Sequence, residues 1–251
     1  MNKSISKYDL LYNPRLSVPE FADIADRWAV ASAEARSTLN CYRDVPYGGD
    51  PSETMDIFLA HGKSKGTLMF IHGGYWRAQD KAGYSFLPPL LTRAGITVAI
   101  PNYSLCPKVE VRDIVMQMVQ ACAWLYRNGS NFGAPRDRLF VSGHSAGGHL
   151  AAMMLTCLWP IYSCDLPDKL VRGGFSISGL FDLREIVKVP SINVDVRLTM
   201  NDAILVSPAF LPPATDALLH LAVGGDETTG FHFQHELITR GWKKHLGEAL
   251  L

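Results

Sequence analysis

The sequence predicts an α/β fold with a mostly parallel, doubly wound sheet and helices on both faces, and three observations point there. Short runs rich in β-branched and aromatic residues recur along the chain, helical patterns lie between them, and glycine-rich turns follow two of the runs directly. Strands separated by helices are joined by crossovers rather than hairpins, and crossovers make neighbouring strands parallel.

Taken in order, the first element is helical. Residues 20–39, EFADIADRWAVASAEARSTL, put Phe21, Ile24, Ala25, Trp28 and Ala31 at helical spacing after Pro19. Residues 1–40 therefore read as a helical extension packed over one edge of a single domain spanning 1–251. The runs MDIFLA (55–60), TLMFIH (67–72), ITVAIP (96–101), RLFVSG (138–143), GGFSIS (173–178) and LLHLAVGG (218–225) predict strands. A strand buried on both faces shows no polar side, so its sequence is a continuous apolar run. The clearest helix between them is VRDIVMQMVQACAWLYRNG, which stacks Ile114, Met118, Ala121 and Leu125 and ends at Gly129 as a C-cap. After Glu227 the chain reads TTGFHFQHELITRGWKKHLGEALL, a helical pattern in which KKHLG is a basic last turn with a glycine cap. On that reading the last strand of the sheet is lacking, and LLHLAVGG becomes an exposed sheet edge.

Composition narrows the function. Lys plus Arg equals Asp plus Glu, 24 against 24, in 251 residues of which 47% are hydrophobic. A core is assured, and the basic footprint of a nucleic-acid binder is missing. No run approaches the roughly 18 apolar residues of a membrane span, and the start has no secretory apolar region. Five scattered cysteines without a CxxC pair fit reduced thiols in the cytoplasm rather than disulfides or zinc.

Ligand crevices in such sheets form at the carboxyl ends of the strands. There RLFVSG runs into Gly143-His144-Ser145-Ala146-Gly147-Gly148-His149 and then a helical run, a G-x-S-x-G motif between strand and helix. The turn is too sharp for a side chain at either glycine and presents Ser145 as a nucleophile at a helix N-terminus, where negative charge is favoured. A second motif, His72-Gly73-Gly74-Tyr75-Trp76, follows TLMFI. Its glycines allow backbone N–H groups to face a developing oxyanion, so Gly74, Tyr75 and Ala146 are the expected donors. His72 and His144 read as frame residues of these loops.

An acid should follow the next-to-last strand, and LLHLAVGG leads into Asp226 and Glu227, either of which can orient an imidazole. A triad also needs a histidine base. His232 and His235 fall in the helix after the acid, which leaves His245 as the best candidate. Three readings stay open: a chain shortened at its C-terminus, a repositioned His245, or a non-catalytic binding module on a hydrolase scaffold. Tyr75, Trp76, Tyr103 and Leu105 would line a mainly apolar crevice, with Trp76 and Tyr103 as substrate-pocket residues.

These residues resemble the α/β-hydrolase superfamily, and within it the kynurenine formamidase (arylformamidase)-like esterases. The resemblance rests on YNPRLSVPEF (12–21), HGGYW (72–76), PNYSLCP (101–107), GHSAGGHLAAM (143–153), SGLFDL (178–183) and VGGDETTGFHFQ (223–234). It implies a serine hydrolase cleaving small carboxylic esters or an N-formyl aryl amide, with no metal or organic cofactor. Ser145 carries over as nucleophile, and the Phe-His-x-Gln segment aligns the acid with Glu227, Asp226 being the close alternative. The implied partner is a small-molecule substrate, with neither nucleic acid nor membrane, and a homodimer is allowed.

Overall fold

The computed structural model describes residues 5–250. Eight strands form one sheet: β1 (Cys41–Pro46), β2 (Thr54–Phe58), β3 (Gly66–Ile71), β4 (Ile96–Pro101), β5 (Leu139–His144), β6 (Val171–Ile177), β7 (Leu218–Ala222) and β8 (Leu246–Leu250). Their spatial order is β1-β2-β4-β3-β5-β6-β7-β8, with β1 and β2 antiparallel and the rest parallel. Ten α-helices accompany them: α1 (Lys7–Tyr12), α2 (Phe21–Thr38), α3 (Pro88–Arg93), α4 (Val111–Asn128), α5 (Ala146–Met154), α6 (Trp159–Tyr162), α7 (Arg184–Val187), α8 (Pro190–Val196), α9 (Met200–Leu205) and α10 (Thr229–Gly241).

All six strands expected from the sequence are present. The structure corrects the expectation that a last strand is lacking. Residues 246–250 form β8, paired with β7 through Leu219–Leu246 and Ala222–Leu250, so β7 is not the sheet edge. The KKHLG turn is likewise not a helix end: α10 stops at Gly241, and Gly247 lies inside β8. A Cβ on Gly247 would stand 2.3 Å from the His220 ring, so any side chain there would displace that ring, which accepts from the Glu248 N–H at 3.0 Å. The strand hides from pattern reading because it is an edge whose last three residues are exposed, which removes any demand for an apolar run. Strand β1, at the opposite edge, leaves no apolar run for the same reason.

The two faces of the sheet carry separate cores. One face holds Met69, Ile71, Ala99, Val141, Leu219 and Leu221 against α4, α5 and α10. The other holds Phe58, Phe70, Val98 and Ile100, with Tyr84 from the turn at Lys81–Tyr84. On this second face α2 stacks Trp28 on Phe86 at 4.9 Å and bonds Ser32 to the Gly83 carbonyl. Beside it, the fully buried Asp56 of β2 meets Arg36 of α2, Lys81 at 3.5 Å and the Asp44 N–H at 2.9 Å. A carboxylate buried in this way persists only because cations and donors surround it.

Candidate active site

The carboxyl edge of the sheet is laced together by backbone hydrogen bonds. The N–H of Ser145, just after β5, donates to Ile177 of β6 at 2.8 Å. The N–H of Ser178, after β6, donates to Ala222 of β7 at 2.7 Å, and that of Val223 donates to Leu250 of β8 at 3.1 Å. Three successive strand ends thus deliver Ser145, Ser178 and the 224–227 turn along one row.

Ser145 has φ +57° and ψ −119°, a left-handed conformation that costs a non-glycine residue of order 1–3 kcal/mol. Its neighbours explain how the strain is held. A Cβ on Gly143 would stand 2.2 Å from the Gly147 carbonyl oxygen, and one on Gly147 would stand 2.0 Å from that of Ile71. Only glycines allow α5 to start this close to β3 and β5. Ala146 is the first residue of α5, so its N–H has no acceptor within the helix and points out at the N-terminus.

The 72–76 loop is held still more tightly. Gly74, Tyr75 and Trp76 have φ of +102°, +50° and +55°, three left-handed residues in succession. This crank turns the N–H groups of Gly74 and Tyr75 away from the loop's own carbonyls, and among the described residues neither donates a hydrogen bond. Below the loop, the Trp76 indole N–H donates to His149 Nδ1 at 3.3 Å while His149 Nε2 meets the Val206 carbonyl at 2.7 Å. That pairing requires the Nε2–H tautomer. The His72 ring stacks on Tyr103 at 4.2 Å, and the Tyr103 hydroxyl donates to the carbonyls of His72 and Gly73. Burial pushes both His72 and His149 down to about 4, so each is neutral near pH 7. The structure therefore corrects the expectation that Trp76 and Tyr103 line the substrate pocket. They are 0% and 2% exposed and brace the loop from behind, because their polar tips find partners only inside.

In the turn after β7, Glu227 and Asp226 part company. Glu227 Oε1 accepts from the Ser178 hydroxyl and from the Gly224 N–H at 2.8 Å. Its charge acts on His144 and Tyr75. Asp226 is exposed. Ser178 is itself left-handed, with φ +51°, and was not foreseen from the sequence. Gln234, in the Phe-His-x-Gln segment of α10, accepts from the N–H groups of Phe181 and Asp182 at 2.7 Å and so fixes the loop that begins at Ser178.

A cavity of about 160 Å³ contains Ser145 and is lined by Gly74, Tyr75, Arg77, Gln79 and His144 from the loops, Ile192 from α8, and Asn13, Arg15 and Phe21 from the N-terminal segment. The Tyr75 hydroxyl donates to the Tyr12 carbonyl, and Arg77 bonds Asp195 and the Ser191 carbonyl, which ties loop, α1 and α8 together. A larger hollow of about 530 Å³ lies on the sheet face around Phe140 and Leu218 and contains neither Ser145 nor Glu227.

The histidines are dispersed. Among the described residues no histidine side chain is hydrogen-bonded to Ser145 or Glu227, and only His144 shares the cavity, its buried Nδ1 without a hydrogen-bond partner. Burial lowers the pKa of His144. His232 and His235 lie on α10. The structure corrects the expectation for His245, which precedes β8 at the amino edge of the sheet, beside Trp242 and Phe210. The register pairs His144 with Ile177, Ile177 with Ala222 and Ala222 with Leu250, so His245 lies roughly 15 Å below Ser145 along the strands.

Comparison with known proteins agrees with this geometry. Residues 68–211 match the family described as alpha/beta hydrolase fold. Kynurenine formamidase of Danio rerio is 32% identical over 217 residues, covering 82% of this chain and 71% of the relative. A crystal structure from Silicibacter sp. tm1040, provisionally assigned as a thioesterase, superposes with a TM-score of 0.86 at 30% identity over 98% of this chain and 91% of the other. Esterase B from Lactobacillus rhamnosis shares the fold, with a TM-score of 0.70 at 16% identity over 93% and 84%. No helix among the described residues is long and apolar enough to cross a membrane. With a strained serine between strand and helix, a left-handed glycine loop lining the same cavity and relatives of this kind, the chain belongs to the α/β hydrolase family, as an ester/amide hydrolase related to kynurenine formamidase.

Proposed function

We propose that the chain cleaves small carboxylic esters or an N-formyl aryl amide through an acyl-enzyme on Ser145. The observation that carries this reading is the strained Ser145, which shares one cavity with the left-handed loop at Gly74 and Tyr75. Ser145 Oγ bonds to the substrate carbonyl carbon as the C=O π bond opens onto its oxygen, and the Oγ proton passes to solvent water. The oxygen becomes an oxyanion facing the N–H groups of Gly74, Tyr75 and Ala146, where pre-aimed donors are worth about 3–4 kcal/mol each. The carbonyl re-forms as the bond to the alcohol or amine breaks, that group taking from solvent the proton equivalent that Oγ gave up. Water then attacks the acyl-enzyme, its second proton returning to Oγ as the acid leaves and Ser145 is restored. Glu227 is the acid of the site, on the strength of its bonds from Ser178 and Gly224.

Hydrolysis of p-nitrophenyl acetate tests the proposal. Steady turnover lost with Ser145→Ala supports it, and turnover that survives the substitution sinks it. His245→Ala should leave the rate within about twofold, since at roughly 15 Å along the strands it is outside the reach of a proton transfer. A second reading, a module that binds such molecules without cleaving them, is favoured by the placement of His245 at the opposite edge. It predicts saturable binding of the product acid with no turnover.

A further inference from the structure

The cavity at Ser145, about 160 Å³, falls below the roughly 300–1,000 Å³ of ordinary small-molecule sites. A substrate with more than a few heavy atoms beyond its carbonyl must therefore leave it. Asn13 borders both this cavity and a groove of about 670 Å³ between α1 and α8, which makes that groove the neighbouring space. The two spaces also interleave along the chain: Arg15 and Ile192 border the first, while Leu16, Ser191 and Val194 border the second.

The chemistry of the groove is that of hydrocarbon. Its polar side chains already have partners: Asp9 accepts from the N–H and hydroxyl of Ser191, Asn13 reaches the same hydroxyl at 3.5 Å, and the Ser6 hydroxyl oxygen accepts from the Tyr8 N–H. What remains facing outward is Ile5, Leu16, Pro190 and Val194, with Ile5, Leu16 and Val194 exposed by 58, 48 and 66%. Scattered exposed apolar residues need no explanation, but several around one groove that shares Asn13 with the cavity of Ser145 do.

We infer that this groove is an alkyl-chain subsite, so that the chain prefers esters carrying an unbranched chain of medium length over acetates. The inference rests on Ser145 as the reacting group and adds a substrate class to it. The carbonyl sits in the small cavity under the Gly74 and Tyr75 N–H groups, and the chain runs past Asn13 to lie against Leu16 and Val194.

Two measurements test it. With p-nitrophenyl acetate, butyrate, hexanoate and octanoate, kcat/KM should rise about twofold per added methylene, half-burial giving the square root of the roughly fourfold effect of full burial. Val194→Asp and Leu16→Asp should flatten that rise, with the acetate as the reference within each variant. A decline from butyrate onward would overturn the inference while leaving the nucleophile intact. Binding of a dansylated undecanoic acid to Ser145→Ala protein needs no turnover and so separates the two readings. Saturable binding weakened about tenfold by adding Val194→Asp is expected. No saturable binding, or equal affinity in both proteins, would overturn it.

Discussion

Ser178 shows how much of this site depends on residues that carry no chemistry of their own. Its hydroxyl and the Gly224 N–H hold Glu227 Oε1 in place, and a hydrogen bond to a charged group is worth about 1.5–3 kcal/mol. If Glu227 is the acid, Ser178→Ala should lower kcat about tenfold and leave KM for p-nitrophenyl acetate nearly unchanged. Glu227→Gln should cost about a hundredfold or more and Asp226→Asn under about twofold, because Glu227 is held by Ser178 and Gly224 while Asp226 is exposed; similar losses from both would contradict the assignment. At this scale the sequence announced Ser145, because the clashes awaiting a Cβ at Gly143 and Gly147 force the G-x-S-x-G pattern. It did not announce the roles of Ser178, Gln234 or His149, whose partners are 49 to 73 residues away and meet only in the folded sheet. Trp76 and Tyr103 misled for a related reason: an aromatic at a strand end has the same composition whether it faces a cavity or the core.

Elements behave more uniformly. The six interior strands were legible because burial on both faces leaves an unbroken apolar run, whereas β1 and β8, at the edges, keep polar residues and leave no such trace. The 72–76 loop is the element most sensitive to a single atom. At Gly74, φ is +102° and a Cβ would lie 2.2 Å from the Ala78 carbonyl oxygen. Gly74→Ala should reduce kcat about a hundredfold through misaimed oxyanion donors while the circular dichroism stays native. Helix α2 is bound to the sheet by the Arg36–Asp56 pair, whose loss would leave a buried carboxylate with Lys81 at 3.5 Å as its remaining cation. Breaking such a pair costs about 3–5 kcal/mol, and with Lys81 still present Arg36→Met should cost about 2 kcal/mol in urea unfolding.

For the molecule as a whole, acid should be the weak point. His72 and His149 are buried neutral with values of about 4, below the 6.5 of an exposed histidine. Between these limits the unfolded chain binds a proton at each that the folded chain refuses, so stability is intact above pH 6.5 and falls as pH drops toward 4. Each histidine should remove about 2 kcal/mol between pH 7 and pH 5. Urea midpoints across that interval check the slope, and His149→Gln, which can still accept from Trp76 and donate to Val206, should halve it. A midpoint that does not move would contradict the burial argument.

The laced carboxyl edge has one more consequence. Ser145 hangs on the end of β6, Ser178 on the end of β7 and Val223 on the end of β8, so the three clamps are coupled in series, with the outermost strand as the last link. Fraying enters a sheet from its edge. Amide hydrogen exchange should therefore be fastest at Val223, slower at Ser178 and slowest at Ser145, and the turn bearing Glu227 should loosen before the nucleophile does.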